Sequence, residues 1–182
     1  TSMNKAFMKA NSSWLAWGLL VMAMTFSNLC AAQTQGGESE SERWFTVDAL
    51  NTGLGEAPEE ANLVTPRESI RSFLDLTGQE EYEAAAHMLN LADFSEGEQR
   101  ERGSELARQL AEIFQRGEWL SVSDLPGRED AVIEDSSGQN PRVGETRRNV
   151  EVSSMQANGE TYDIRLGRYR VGDQEPVWLI MP

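Results

Sequence analysis

The stretch GLGEAPEEANLVTPRESIRSFLDLTGQEEYEAAAHMLNL (Gly53–Leu91) decides the fold. Thr65 stands as an N-cap, Pro66 takes the first helical position, and Glu68 closes a capping box. Ile70, Phe73 and Leu74 recur at helical spacing and Gly78 ends the run, which predicts a first helix. Val64 sits where a hydrophobic staple would start, but its formal partner is Ser69, so only Ile70 is within reach. A second helix is expected from about Gln79 to Asn90, with Tyr82, Ala85, Ala86 and Leu89 on one face. Its alanines permit close approach to the first helix.

Outward from this pair, Glu98 to Gln115 reads as a third helix. Its apolar stripe is Leu106, Leu110, Ile113 and Phe114, and Gly117 is its terminator. The period then changes. Trp119 to Val122 reads as a strand, Pro126 to Arg142 as loop with a turn at Ser136–Gly138, and Asp130 to Glu134 as a short strand within it. Asn149 to Met155 alternates, and Asn158-Gly159 is the strongest hairpin signal in the chain. The partner strand, Thr161 to Val171, has apolar residues at Tyr162, Ile164 and Leu166 and then at Tyr169 and Val171. That change of parity places a β-bulge at Gly167. Gly172-Asp173 makes another turn, and Val177 to Met181 is a last strand, apolar on both faces. Upstream, Trp44 to Val47 is a short apolar segment, a strand or a docking piece, and Asn51 to Asn62 reads as loop.

Helices followed by strands define an α+β class: three N-terminal helices packed on an antiparallel β-meander. The arrangement is loosely similar to the cone-shaped nuclear-transport-factor-2-like fold. The organisation expected is a signal peptide over 1–32, a flexible acidic linker over 33–43 and one domain over 44–182. Lys5 and Lys9 precede an apolar core from Trp14 to Met24, too short to span a bilayer comfortably, and Ala31-Ala32 offers a cleavage site before Gln33. An uncleaved anchor is the competing reading of this leader. Leu29 before Cys30 argues against lipidation. Cleavage after Ala32 leaves no cysteine, hence neither a disulfide framework nor thiol chemistry.

The chain carries a formal charge of −14, and loss of the leader with its two lysines makes it −16. Such a surface repels nucleic acid and anionic headgroups and keeps an exported domain soluble.

Searched for chemistry, the residues offer little. His87 is the one histidine, read as a surface or boundary residue. The acidic runs at Glu38–Glu42, Glu59-Glu60, Glu80–Glu83 and Glu96–Glu98 lack the pattern of a calcium loop and read as solvated faces and helix-dipole complements. Gly53-Leu54-Gly55 is half of a dinucleotide fingerprint in the wrong context. Arg147, Arg148, Arg165, Arg168 and Arg170 read as cross-strand partners of Glu151, Glu160 or Asp163, or else as a docking face for an acidic or headgroup partner. Trp44, Trp119 and Trp178 read as core. Catalytic, cofactor-binding and metal-binding residues are therefore all expected to be none, and the chain is expected not to be an enzyme.

A resemblance sharpens this. Leu50–Pro58 (LNTGLGEAP), Asn62–Leu76 (NLVTPRESIRSFLDL), Glu80–Leu91 (EEYEAAAHMLNL), Glu105–Phe114 (ELARQLAEIF) and Glu175–Trp178 (EPVW) follow one another in order. The pattern resembles the N-terminal extracytoplasmic region of bacterial small-conductance-type mechanosensitive ion channel proteins, and covers Trp44 to Pro182. The chain departs from it at Ser121–Ser123. The resemblance implies a non-enzymatic periplasmic domain, tethered to the inner membrane and acting in assembly, sensing or gating. Its partners would be the channel portion of the same polypeptide and homo-oligomeric copies. It carries over no functional residue. A free-standing exported binding module is the alternative, and a small exported hydrolase a third reading disfavoured for want of a triad.

Overall fold

A computed structural model describes residues 43–116, 120–135, 137–157 and 159–181. The expected leader and most of the linker lie outside the described residues, as do Gly117, Trp119, Ser136, Asn158 and Pro182. The elements run β1 (Phe45–Val47), α1 (Pro66–Gly78), α2 (Tyr82–Ala85), α3 (Glu96–Arg116), β2 (Asn149–Ala157), β3 (Glu160–Val171) and β4 (Val177–Ile180). Short 3-10 turns stand at Thr52–Leu54, Ala86–Met88 and Val122–Asp124. The class is α+β, three helices with a four-stranded sheet.

The start of α1 follows from its residues. Thr65 Oγ1 accepts the Glu68 amide at 3.1 Å, and Pro66 stands in the first turn, where its missing N–H costs nothing. Val64 remains 50% exposed, so no staple forms. The helix does not stop at Gly78 by turning left-handed there. Glu80 adopts φ 64 instead, the Glu81 amide reaches back to Leu76 O and the Glu80 amide to Thr77 O. This is a Schellman motif with glutamate in the position that favours glycine.

The expected second helix is shorter than its apolar run. It is α-helical only over Tyr82–Ala85 and tightens into the 3-10 turn Ala86–Met88. Tightening turns His87 inward, so the surface or boundary reading is corrected: the residue is buried, 8% exposed. The helix α3 also differs in its buried face. Gln99, Gly103, Ala107, Ala111 and Phe114 are buried, whereas Leu106, Leu110 and Ile113 are only half-buried. A Cβ on Gly103 would lie 3.1 Å from Leu54 Cδ2 and 3.2 Å from Ala86 Cβ, so small residues set this helix contact. Phe114 meets Phe73 of α1 edge-on at 5.7 Å.

The sheet is mixed rather than the expected antiparallel meander. The hairpin β2–β3 is antiparallel, with Ala157 opposite Glu160 and Gly159 at φ 82 in its two-residue turn. β4 pairs antiparallel with β3, and β1 pairs parallel with it. Gly167 faces both Asn149 and Leu179, while Tyr169 faces both Phe45 and Val177. A strand has two edges, so β1 and β2 share one edge of β3 and β4 takes the other. The extra residue of the bulge is Val152 on β2, where the register shifts between Glu151 and Ser153, not Gly167 on β3. The expected strand over Trp119–Val122 is absent from its described part, where Val122 opens a 3-10 turn. Asp130–Glu134 forms no strand either, although Ile133 exchanges backbone bonds with Glu145 and Gly144.

The core lies between the helices and the sheet, around Trp178, Phe73, Ile70, Leu76, Met88 and Leu166. Each such side chain stabilises by about 1.5–3 kcal/mol. Trp178 joins its parts: its Nε1 donates to Glu129 O at 2.8 Å, its amide to Leu63 O at 2.9 Å, and its carbonyl accepts Ser69 Oγ of α1 at 2.7 Å. The reading of β4 as apolar on both faces holds, since Trp178, Leu179 and Ile180 are all buried.

Candidate functional site

The Gly53-Leu54-Gly55 segment is a clamp. The Gly53 amide donates to Gln99 Oε1 at 2.8 Å, Arg100 Nε donates to Gly53 O at 3.2 Å, and a Cβ on Gly53 would lie 2.3 Å from Glu96 O. Buried Gln99 donates in turn to Leu91 O and Phe94 O, at 3.0 and 2.9 Å. Beside it Asn51 donates to Leu89 O at 2.8 Å and accepts the Leu91 amide at 3.1 Å. Every polar atom of these two amide side chains is used on backbone, which leaves none for a phosphate or a cofactor.

Among the described residues no three of His, Cys, Asp and Glu could hold a metal ion. Burial pushes the His87 imidazole below its ordinary value. Glu105 is held at about 2 by its hydrogen bonds from Arg108 and Gln109, and Asp135 at about 2 by the Ser137 hydroxyl and the backbone amides it accepts. Arg108 also pairs with Glu112. These are surface arrangements and shape loops and helix faces.

The arginines divide. Arg165 pairs across the hairpin with Glu151 at 3.4 Å and donates to Asn149 Oδ1 at 2.8 Å. Arg168 and Arg170 share one face and lie over the Trp44 ring, at 5.7 and 4.8 Å from its centroid. Arg168 is buried and its Nε finds no hydrogen-bond partner among the described residues. Arg148 covers Phe45 at 4.8 Å, and Arg147 Nε donates to Ala131 O at 2.7 Å. Trp44 is half-buried, an aromatic platform for cations more than a core residue, while Trp178 is core as expected.

A large, mainly apolar concavity lies elsewhere among the described residues. Between α3 and the outer part of the β2–β3 hairpin opens a cavity of about 730 Å³. Leu106, Leu110 and Ile113 form its helical wall, and Met155, Ile164 and Ile180 its sheet wall. Leu89, Leu91 and Phe94 close the base. Asn90, Gln109, Thr161, Tyr162 and Asp163 bring the polar atoms. Leu106, Leu110 and Ile113 belong to the apolar stripe expected on this helix, and Gly103, Ala107 and Ala111 on the adjoining face are the signal that another side packs tighter. Comparison of the chain with family models, curated proteins and solved structures finds no match in any of the three.

Proposed function

We propose that the chain is a non-enzymatic extracytoplasmic domain of a mechanosensitive ion channel family protein, acting in assembly, sensing or modulation of gating. In this reading it stands in the periplasm, tethered to the inner membrane. Its partners are the channel portion of the same polypeptide and homo-oligomeric copies, and its acidic surface keeps nucleic acid away. The observation that supports it is where the residues of the resemblance fall. The GLG segment is the clamp on α3, Thr65 and Pro66 start α1, and Arg67 of the same motif donates to Leu125 O and Ser123 O at 3.0 Å each. The Pro176–Trp178 segment enters β4, whose bonds reach α1, β3, Leu63 and Asn90. A membrane helix following such a strand would load the centre of the domain, not a loose tail.

A free-standing exported binding module is the second reading, favoured by the apolar cavity beside α3. The coding sequence beyond Pro182 separates the two. Apolar segments of about 20 residues each support the channel domain, and an immediate stop codon overturns it in favour of the module.

A further inference from the structure

The large side chains of α3 and of the hairpin are not used where packing is tightest. Leu106, Leu110 and Ile113 stay half-buried along one side of α3, while Gly103, Ala107 and Ala111 make its close contacts. Across from them Met155 and Ile164 are half-buried too. The Val152 bulge lies opposite the Ile164–Arg165 step of β3, beside this wall, and a bulge bends the strand that carries it. Apolar walls are thus held apart over a space of about 730 Å³, within the range of small-molecule sites.

We propose that this cavity binds a single-chain amphiphile, its apolar tail against Leu106, Leu110, Ile113 and Ile164 and its uncharged or cationic head at the mouth. The tail is set by the walls, which carry no charge. The head is set by the mouth. Asp163 is the one charged residue of the lining, and Tyr162, 47% exposed, donates its hydroxyl to Glu160 at 2.7 Å. Arg165 lies 3.9 Å from Asp163 but is shared with Glu151 and Asn149. Asp163, Glu160 and Glu151 against Arg165, and against Arg102 over the Phe94 ring at 4.9 Å, leave the mouth net acidic, which disfavours a carboxylate or phosphate head. Gln109, whose amide nitrogen is held by Glu105, keeps its oxygen, and with the Thr161 hydroxyl this gives neutral acceptors for an amine or hydroxyl. The proposal does not depend on the channel reading, and its failure would leave that reading untouched.

The test uses the full chain and the neutral fluorescent probe N-phenyl-1-naphthylamine, displaced by dodecylamine or by dodecanoate. Saturable uptake of one probe per chain is expected, with dodecylamine displacing it at about tenfold lower concentration than dodecanoate, the size of a like-charge penalty at a half-open site. Leu110→Trp fills the cavity and should weaken uptake by about tenfold or more, while Val143→Trp, on an exposed loop outside the lining, leaves it unchanged. Methyl resonances of the unaltered chain should shift on dodecylamine addition at Leu106, Leu110, Ile113 and Ile164, which keeps the proposal falsifiable if Leu110→Trp misfolds. Absence of saturable uptake, methyl shifts elsewhere, or preference for dodecanoate overturns it. So does a dimer in solution that Leu110→Trp dissociates with no probe uptake, since a second copy would then be the occupant.

Discussion

Gly53→Ala separates a structural reading of the GLG segment from any ligand-binding one. Gly53 does not need a left-handed backbone, so alanine would be tolerated by conformation alone. What forbids it is space: the new Cβ would meet Glu96 O at 2.3 Å, Glu96 Cα at 2.7 Å and Gln99 Cβ at 2.9 Å. Ordinary carbon contacts lie at about 3.5–4.0 Å, so the turn Thr52–Leu54 must withdraw by more than about 1 Å from α3. Overpacking of this kind costs about 1–3 kcal/mol. Withdrawal also strains the bond from the Gly53 amide to Gln99 and leaves a buried group under-satisfied, for about 1–3 kcal/mol more. The stiffer unfolded chain returns about 0.4–1 kcal/mol. The net is a loss of about 3 kcal/mol, or a melting temperature lower by about 6–12 °C. Urea unfolding of the full chain, followed by tryptophan fluorescence, reads it directly. Gly97→Ala, on the same helix with nothing within 4 Å, should instead stabilise by about 0.5–1 kcal/mol. A Gly53→Ala protein within about 0.5 kcal/mol of the unaltered chain would refute the clamp.

Glu80→Gly places the favoured residue at the left-handed end of α1 and should raise stability by about 0.5–1 kcal/mol in the same assay. Gln99→Ala orphans the Gly53 amide and the Leu91 carbonyl and should cost about 2–4 kcal/mol, more than the small helix-propensity gain returns. His87 titrates in a definite direction. Its folded pKa is depressed by burial, so the unfolded chain binds its proton first, and stability should fall as pH drops below about 6.5 towards the folded value. His87→Asn should flatten melting temperature across that window, and an unchanged slope would count against burial as the cause. Asp135, held at about 2, contributes stability that is present above the ordinary aspartate value and lost as pH falls from there towards 2; hydrogen exchange of the Gln139 and Asn140 amides should accelerate across that interval, and in Asp135→Asn it should be fast throughout.

What the sequence made legible was local. The cap of Thr65 and Pro66, the hairpin at residues 158–159 and the two-sided apolarity of β4 each depend on neighbours along the chain, and those expectations match the structure. The misses are non-local or depend on a partner's shape. The parallel pairing of β1 joins residues far apart in sequence, and no period in Trp44–Val47 announces it. The apolar residues of β3 change parity after Leu166 because the strand buries both faces, Leu166 in the core and Tyr169 against Phe45, while the bulge is on its partner at Val152; one strand's pattern cannot tell these cases apart. Gly78 does end α1, as its place after the apolar run implies, but nothing local announces that the left-handed residue of the cap is Glu80, two residues on. The cavity was not legible because the stripe Leu106, Leu110, Ile113 and Phe114 reads as one apolar face, and nothing in it says that Phe114 enters the core with Gly103, Ala107 and Ala111 while the other three stay half-buried beside an open space.

The proposal that this domain serves a membrane channel is tested most directly by single-channel recording. Residues 33–182 should be deleted from the full-length protein, keeping residues 1–32 and the membrane portion that the proposal places after Pro182, and the tension threshold measured by patch clamp alongside the oligomeric state. The account predicts a shifted threshold or a loss of assembled channels. Unchanged gating and unchanged assembly would contradict it.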